Sequence, residues 1–164
     1  MSGLGAVIAA ARRANDPDRI LRATPYARFL GIAIDRVDGR DVCRLAYRDA
    51  HIGNPMLPAL HGGVIGALLE CAAIFHLVWD LEATAIPKTI NMSIDYLRPG
   101  RPLDTYAGGI ATKQGRQVTN VRVEAWQESR ARPIAAAHGH FLLAAGGDRP
   151  AGTDSHATGG VGYG

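Results

Sequence analysis

From Gly62 to Trp79 the chain reads GGVIGALLECAAIFHLVW, an apolar run with one charged side chain, Glu70. A helix that is apolar on every side has to be enclosed, so this run predicts a buried core helix over 61–80. It barely reaches membrane-spanning length and carries Glu70 and His76 near its centre, which favours burial inside a protein over burial in lipid. Ahead of it, GIAIDRV (31–37), the turn Asp38-Gly39 and DVCRLAY (41–47) predict a β-hairpin. Residues 2–14 and 16–23 predict two short helices. Asp16-Pro17 would supply an N-cap and a first-turn proline, and Thr24-Pro25 would end the second helix. HIGNPMLPAL (51–60), with two prolines, reads as a loop.

Beyond the long helix the texture changes to four strand-like runs, at 88–97, 103–113, 117–127 and 133–144. In the first, Ile90, Met92, Ile94 and Tyr96 alternate with Thr89, Asn91, Ser93 and Asp95, the pattern of a half-buried antiparallel strand. Gly108-Gly109 inside the second predicts a bulge or a bend. From Gly146 the chain has almost no apolar content, and disorder is expected there. The elements add up to an α+β fold: a hairpin and a four-strand meander forming one curved antiparallel sheet around one long central helix. Short N-terminal helices at 1–26, the folded domain at 27–145 and a Gly-rich tail at 146–164 complete the division. No internal repeat is visible.

With 164 residues, 47% hydrophobic and 20% charged, the chain suits one soluble domain with a sizeable core. A net charge of +3, with no run of Lys or Arg, suits a polyanionic small molecule and is too weak to indicate nucleic acid. Cys43 and Cys71 have no CxxC spacing and read as free thiols of a reducing compartment, with Cys71 as core packing. The N-terminal MSGLGAVIAAARR lacks the basic start of a signal peptide and predicts a short surface helix. We expect a cytoplasmic protein that does not engage a membrane.

The chemistry concentrates on the apolar run. Burying an unpaired carboxylate is costly, so Glu70 is expected to find a task as a base or a nucleophile. His61-Gly62-Gly63 opens the helix, where free first-turn N–H groups favour negative charge. Glu70 follows Gly62 by eight residues, about 12 Å along one helix. One small carbonyl does not easily touch both. The spacing therefore predicts a composite site at a homodimer interface, with the two groups drawn from different copies of the helix. His138 and His140 share a strand face, yet no Cys or carboxylate lies near them in sequence to complete a ligand set, and no metal is expected.

LHGGVIGALLE (60–70), TINMSIDYLRPGRP (89–102) and the Gly115-Arg116 turn, in this order, resemble the hot-dog-fold thioesterases, in particular the phenylacetate-degradation (PaaI-like) acyl-CoA thioesterases. The resemblance spans about residues 27–145. It implies hydrolysis of an acyl- or aryl-CoA thioester, with coenzyme A as part of the substrate and no separate cofactor, in a homodimer or a homotetramer built as a dimer of dimers. Glu70 matches the catalytic carboxylate, as general base or nucleophile. Gly62 matches the glycine whose N–H polarises the carbonyl, and His61 and Gly63 belong to the same motif. Asn54 resembles a loop residue that orients substrate or water. Thr89 resembles a hydroxyl position that assists the carboxylate. Some members with a catalytic Glu carry Thr one turn later; here that position is Ile74, so a required hydroxyl has to come from Thr89. Arg98, Arg101, Lys113 and Arg116, at strand ends and turns, can engage the phosphates of coenzyme A. Met56, Leu57, Phe75, Leu77 and Trp79 serve equally as an acyl pocket or as core.

Two other functions fit the same fold. A non-catalytic acyl-CoA-binding or regulatory module would have no use for Glu70. A hydratase or dehydratase acting on acyl thioesters would pair the helix carboxylate with a histidine, for which His51 is the upstream candidate. Fold by itself does not decide among them.

Overall fold

The computed structural model describes residues 3–83, 85–115 and 117–143, with Ala111–Gln114 described by backbone alone. Three helices come first: α1 (Gly3–Ala14), α2 (Asp18–Arg22) and α3 (Pro25–Leu30). Pro25 does end α2, as expected, but it also opens α3 as its first residue, a position where the missing N–H costs nothing. Gly31, at φ 74°, closes α3 in the left-handed region. The expected Asp16 cap is absent; its carboxylate pairs with Arg22 instead, and Pro17 stands at the cap position. The N-terminal helix is not purely superficial. Ile8, Ala11 and Ile20 pack with Val78 as a small second core.

β1 (Ile32–Val37) and β2 (Arg40–Leu45) form the predicted hairpin. Asp38 and Gly39 have φ of 50° and 76°, the two positive values of a two-residue turn that matches strand twist. The 51–60 segment is more ordered than a loop. A 3-10 turn (Asp49–His51) leads into β3 (Ile52–Asn54), which pairs with β4 (Ala59–Leu60) as a small separate ribbon. Then α4 (Gly62–Trp79) runs the length of the apolar stretch.

The four later strands are β5 (Lys88–Tyr96), β6 (Thr105–Gln114), β7 (Val118–Trp126) and β8 (Ala135–Leu142). They lie in one antiparallel sheet of order β1-β2-β6-β7-β8-β5. This corrects the simple meander: β5 pairs with β8, from Lys88↔Leu142 to Tyr96↔Ala135, and not with β6. The reason lies in residues 97–104. The Leu97 and Arg98 N–H groups both donate to the Ile134 carbonyl, and Gln127 clasps both backbone groups of Arg101. The segment is thereby led past the ends of β8 and β7 before β6 begins. β5 is left as an edge strand.

Gly108 and Gly109 hold regular register with Glu124 and Val123, so no bulge sits there. A side chain at Gly109 would lie 3.0 Å from the His76 Cβ: the glycine lets α4 approach the sheet. Leu68, Leu69, Ala72, Ala73, Phe75 and Leu77 of α4 meet Cys43, Leu45, Val121, Val123 and Phe141 of the sheet in the main core. By length and composition α4 is apolar enough to cross a membrane; in this fold it is the helix the sheet wraps. The wrapping is incomplete, because Val64, Ala67, Glu70, Cys71 and Ile74 form a half-buried stripe.

Candidate functional site

His61 caps α4 with its ring. Its Nδ1 accepts the Gly63 N–H at 2.9 Å. The His61 carbonyl accepts from Val64 and Ile65, at 3.0 and 3.2 Å. Three of the four first-turn donors are thus consumed by one residue. The fourth, the Gly62 N–H, has no acceptor among the described residues. Gly62 is also close-packed: a Cβ there would lie 3.2 Å from the Tyr96 ring, whose hydroxyl donates to the Gly62 carbonyl at 2.8 Å.

Glu70 is half-buried and is not unpaired, which corrects the expectation of an isolated carboxylate. The Thr89 hydroxyl donates to its Oε1 at 2.6 Å. Strict alternation would have turned Thr89 to the face away from α4, with Asn91 and Ser93. A register shift between Thr89 and Asn91, with Ile90 as the extra residue, reverses that: Thr89 pairs with the buried Phe141, and its side chain faces the helix. Ile74 carries no hydroxyl, and Thr89 supplies one instead. Neighbouring Cys71 is pushed up to about 11, first by burial and then by the charge of Glu70. Burial likewise drives Cys43 well up. Both thiols stay protonated and unreactive at neutral pH.

Asn54 is exposed, and its side-chain oxygen accepts from the Met56 and Leu57 N–H groups at 3.0 and 3.4 Å. That oxygen shapes the β3–β4 turn; no contact joins it to Glu70. Asn54 follows Gly53, whose backbone packs against His61, so the ribbon borders the helix start. His51 is buried, at 3% exposure, and neither ring nitrogen has a partner at good hydrogen-bond geometry. Burial, then the charge of Arg48, pushes its pKa down, against a smaller opposing pull from the Leu30 carbonyl. Its backbone carbonyl holds the His61 N–H at 2.8 Å, but its ring has no contact with Glu70, as a hydratase pair would require.

A cleft of about 330 Å³ opens beside Gly62, walled by Leu60, Ile65, Tyr96, Leu97, Arg98 and Pro99 among others. Arg98 therefore belongs to the surroundings of Gly62, with its guanidinium donating to the Pro133 carbonyl at 2.6 Å. Arg101 is not in that cleft; it is ion-paired with Glu128. The Lys113 side chain and Arg116 lie outside the described residues, as does the 146–164 tail. Leu77 is core, Phe75 stacks on Trp79, and Met56 and Leu57 stand exposed at the ribbon tip. A second cleft, of about 390 Å³, lies where β2 splays from β6 and has neither Gly62 nor Glu70 in its walls. His138 and His140 sit on β8, and His140 is held by Asn91 at 2.8 Å. Among the described residues no three His, Cys, Asp or Glu side chains gather as metal ligands.

Tyr96 escaped the sequence reading, because an aromatic residue in an alternating strand reads as core. The signal was in the helix: Gly62 and Gly66, four apart, cut a groove on one face, and side chains there would meet Tyr96 and Ile94.

Positions 57–134 match the family model of the thioesterase superfamily. The medium/long-chain acyl-CoA thioesterase YigI of Escherichia coli K12 is 29% identical over 121 residues, covering 65% of this chain and 77% of that one. A Chromobacterium violaceum protein of known structure is 39% identical with a TM-score of 0.68, over 84% of this chain and 96% of that one. A phenylacetic acid degradation-related protein from Ralstonia eutropha JMP134 is 27% identical with a TM-score of 0.65, over 77% and 98%.

Proposed function

The chain belongs to the thioesterase superfamily, and from that premise we propose that it is an acyl-CoA thioesterase, releasing coenzyme A and a free acid from an acyl- or aryl-CoA thioester. One observation carries the reading. The first turn of α4 is wired so that a single donor, the Gly62 N–H, is left for a ligand, while the same helix holds one carboxylate, oriented by Thr89.

In this reading the thioester carbonyl oxygen sits on the Gly62 N–H at the positive end of α4, which stabilises the oxyanion as it forms. Glu70 takes a proton from water, the water oxygen bonds to the carbonyl carbon, and collapse of the oxyanion breaks the C–S bond. The thiolate leaves with the proton that Glu70 held. In the other route the Glu70 carboxylate attacks the carbonyl carbon, the C–S bond breaks and the coenzyme A thiolate leaves, and water opens the resulting anhydride to the free acid and the regenerated carboxylate. Both routes end in the same products.

Gly62 and Glu70 come from two copies of the chain in this proposal. Two features support a homodimer, alone or doubled into a tetramer. β5 is a free sheet edge with Ile90 and Tyr96 exposed, an obvious template for pairing. The α4 stripe that includes Glu70 is only half covered within one chain. Arg98, beside the cleft, is the best placed cation for a coenzyme A phosphate. Arg101, Lys113 and Arg116 are further candidates, with Arg101 first having to release Glu128. Asn54 borders the site and orients substrate or water once its turn contacts allow. The reaction calls for no metal and no cofactor beyond the coenzyme A of the substrate. The two protonated thiols suit a reducing, cytoplasmic setting.

The test is thiol release from a panel of acyl- and aryl-CoA thioesters, wild type beside Glu70→Ala, with an enzyme-only blank for Cys43 and Cys71. Turnover that drops by orders of magnitude in a folded variant is the expected result, and the panel names the acyl class. No turnover with any thioester, together with tight binding of one, would establish the non-catalytic module instead.

A further inference from the structure

Tyr96 closes the last residue of β5 onto the first turn of α4, and we infer that it is a positioning residue for the Gly62 N–H; this rests on the hydrolase reading above. The two peptide planes that flank the Gly62 Cα are held differently. The His61–Gly62 plane is fixed at its carbonyl by the Val64 and Ile65 N–H groups. The Gly62–Gly63 plane is fixed on its N–H side by His61 Nδ1 and on its carbonyl side by the Tyr96 hydroxyl, at 2.8 Å. Two glycines in succession at a helix start have the widest backbone freedom of any pair, and helix ends fray. The Tyr96 contact restrains the second plane about the Gly62 Cα, and so limits the backbone freedom of the first-turn residue whose N–H has no acceptor among the described residues.

The packing supports a fixed relation and not a passing contact. The Tyr96 ring lies within 3.2–3.3 Å of where a Gly62 Cβ would stand, and its hydroxyl is 3.7 Å from the corresponding point at Gly66. Gly62 and Gly66 thus form a slot for the ring, with Ile94 beside it. Burial within one chain does not explain Tyr96, which remains 54% exposed there at the end of an edge strand. A residue kept there for core packing would have no need of a hydroxyl aimed at a helix carbonyl.

A small displacement of a group that stabilises charge only in the transition state lowers kcat and leaves ground-state binding largely alone. Tyr96→Phe keeps the ring in its slot and deletes only the donor. We expect kcat to fall about tenfold, less than the ~100- to 1000-fold of losing an oxyanion donor outright. KM should stay within about twofold, the pH profile should keep its shape, and the thermal midpoint should move little. In a Gly62→Pro background, where the N–H is gone, Tyr96→Phe should cost nothing further, since coupled groups are not additive.

Each other outcome counts against the inference. Unchanged kcat with a lowered thermal midpoint makes Tyr96 a stabilising residue only. A raised KM at constant kcat makes it a wall of the substrate cleft. A full tenfold loss in the Gly62→Pro background means the hydroxyl acts on something other than Gly62. Wild type that hydrolyses no thioester removes the hydrolase reading itself, which is separable from an active wild type whose Tyr96→Phe variant is equally active.

Discussion

If Gly62 and Glu70 serve one substrate from two chains, then two separately inactive variants should restore one another. Glu70→Gln removes the base while keeping an acceptor for Thr89. Gly62→Pro removes the donor with little else. Gly62 is the first helical residue, where proline is favoured, and His61 has φ −62° and ψ 132°, which is the backbone a pre-proline residue adopts. The added Cβ would meet the Tyr96 ring at 3.2 Å, so the ring has to yield by a few tenths of an ångström. Eight helical residues separate the two groups by about 12 Å of rise and about 80° of rotation. A base has to reach roughly 3 Å from the proton it takes, so one helix does not bring both groups to one carbonyl. Each variant alone is expected to lose at least ~100-fold in kcat. Co-expression with two different affinity tags, and isolation of the doubly tagged dimer, gives one site with both groups intact and one with neither. Thiol release should return to about half of the wild-type rate. A doubly tagged dimer no more active than its parents would refute the composite site and place both groups in service of a single chain.

Thr89→Val keeps the β-branched shape and deletes the hydroxyl that donates to Glu70 at 2.6 Å; a hydrogen bond to a charged, half-exposed group at the lower end of ~1.5–3 kcal/mol predicts about a tenfold fall in kcat, and an unchanged kcat would count against this role. The His51 ring is kept neutral by burial and by Arg48 in the folded state, so the unfolded chain binds the extra proton first. Stability should therefore be intact above about pH 6.5 and fall as the pH drops below it, by at most about 1.4 kcal/mol per pH unit, until the folded ring also protonates. Urea midpoints at about pH 7.5 and 5.5 measure this slope, and His51→Gln should lack it.

Much of this was legible in the chain. The apolar run set α4 to within one residue at its start, Asp38-Gly39 set the hairpin, and strand-like runs, alternating clearly in 88–97, marked the four later strands. What the pattern does not contain is pairing. Alternation says that 88–97 is a strand with one apolar face, but its neighbour is decided by how residues 97–104 are anchored on Ile134 and Gln127, far away in sequence. The bulge at Ile90 was hidden for a related reason: it is a mismatch between two strands, and a single strand read alone has no register to shift. The glycines misled in the same way. Gly108-Gly109 suggested a bend, whereas His76 of α4 lies where a side chain at Gly109 would stand. Glu70 stood out because a lone charge in an apolar helix needs a cause; its partner Thr89 was indicated by the family resemblance alone, because strict alternation would have turned it away from the helix and only the bulge turns it back.

β5 has a position that no other strand shares. It clasps α4 twice, at Glu70 through Thr89 near its beginning and at Gly62 through Tyr96 at its end. Among the described residues, no strand pairs with its other edge. Both groups proposed for catalysis are therefore positioned by an element whose free side is the natural place for a second copy to pair. Backbone pairing along β5 would rigidify the strand, and with it the two hydroxyls that orient the carboxylate and the helix start. The same association would bring the half-covered stripe of α4 toward its counterpart. Under the proposed dimer, assembly and preorganisation of the site would be one event: the strand that would recruit the partner is the strand that holds Gly62 and Glu70 in place.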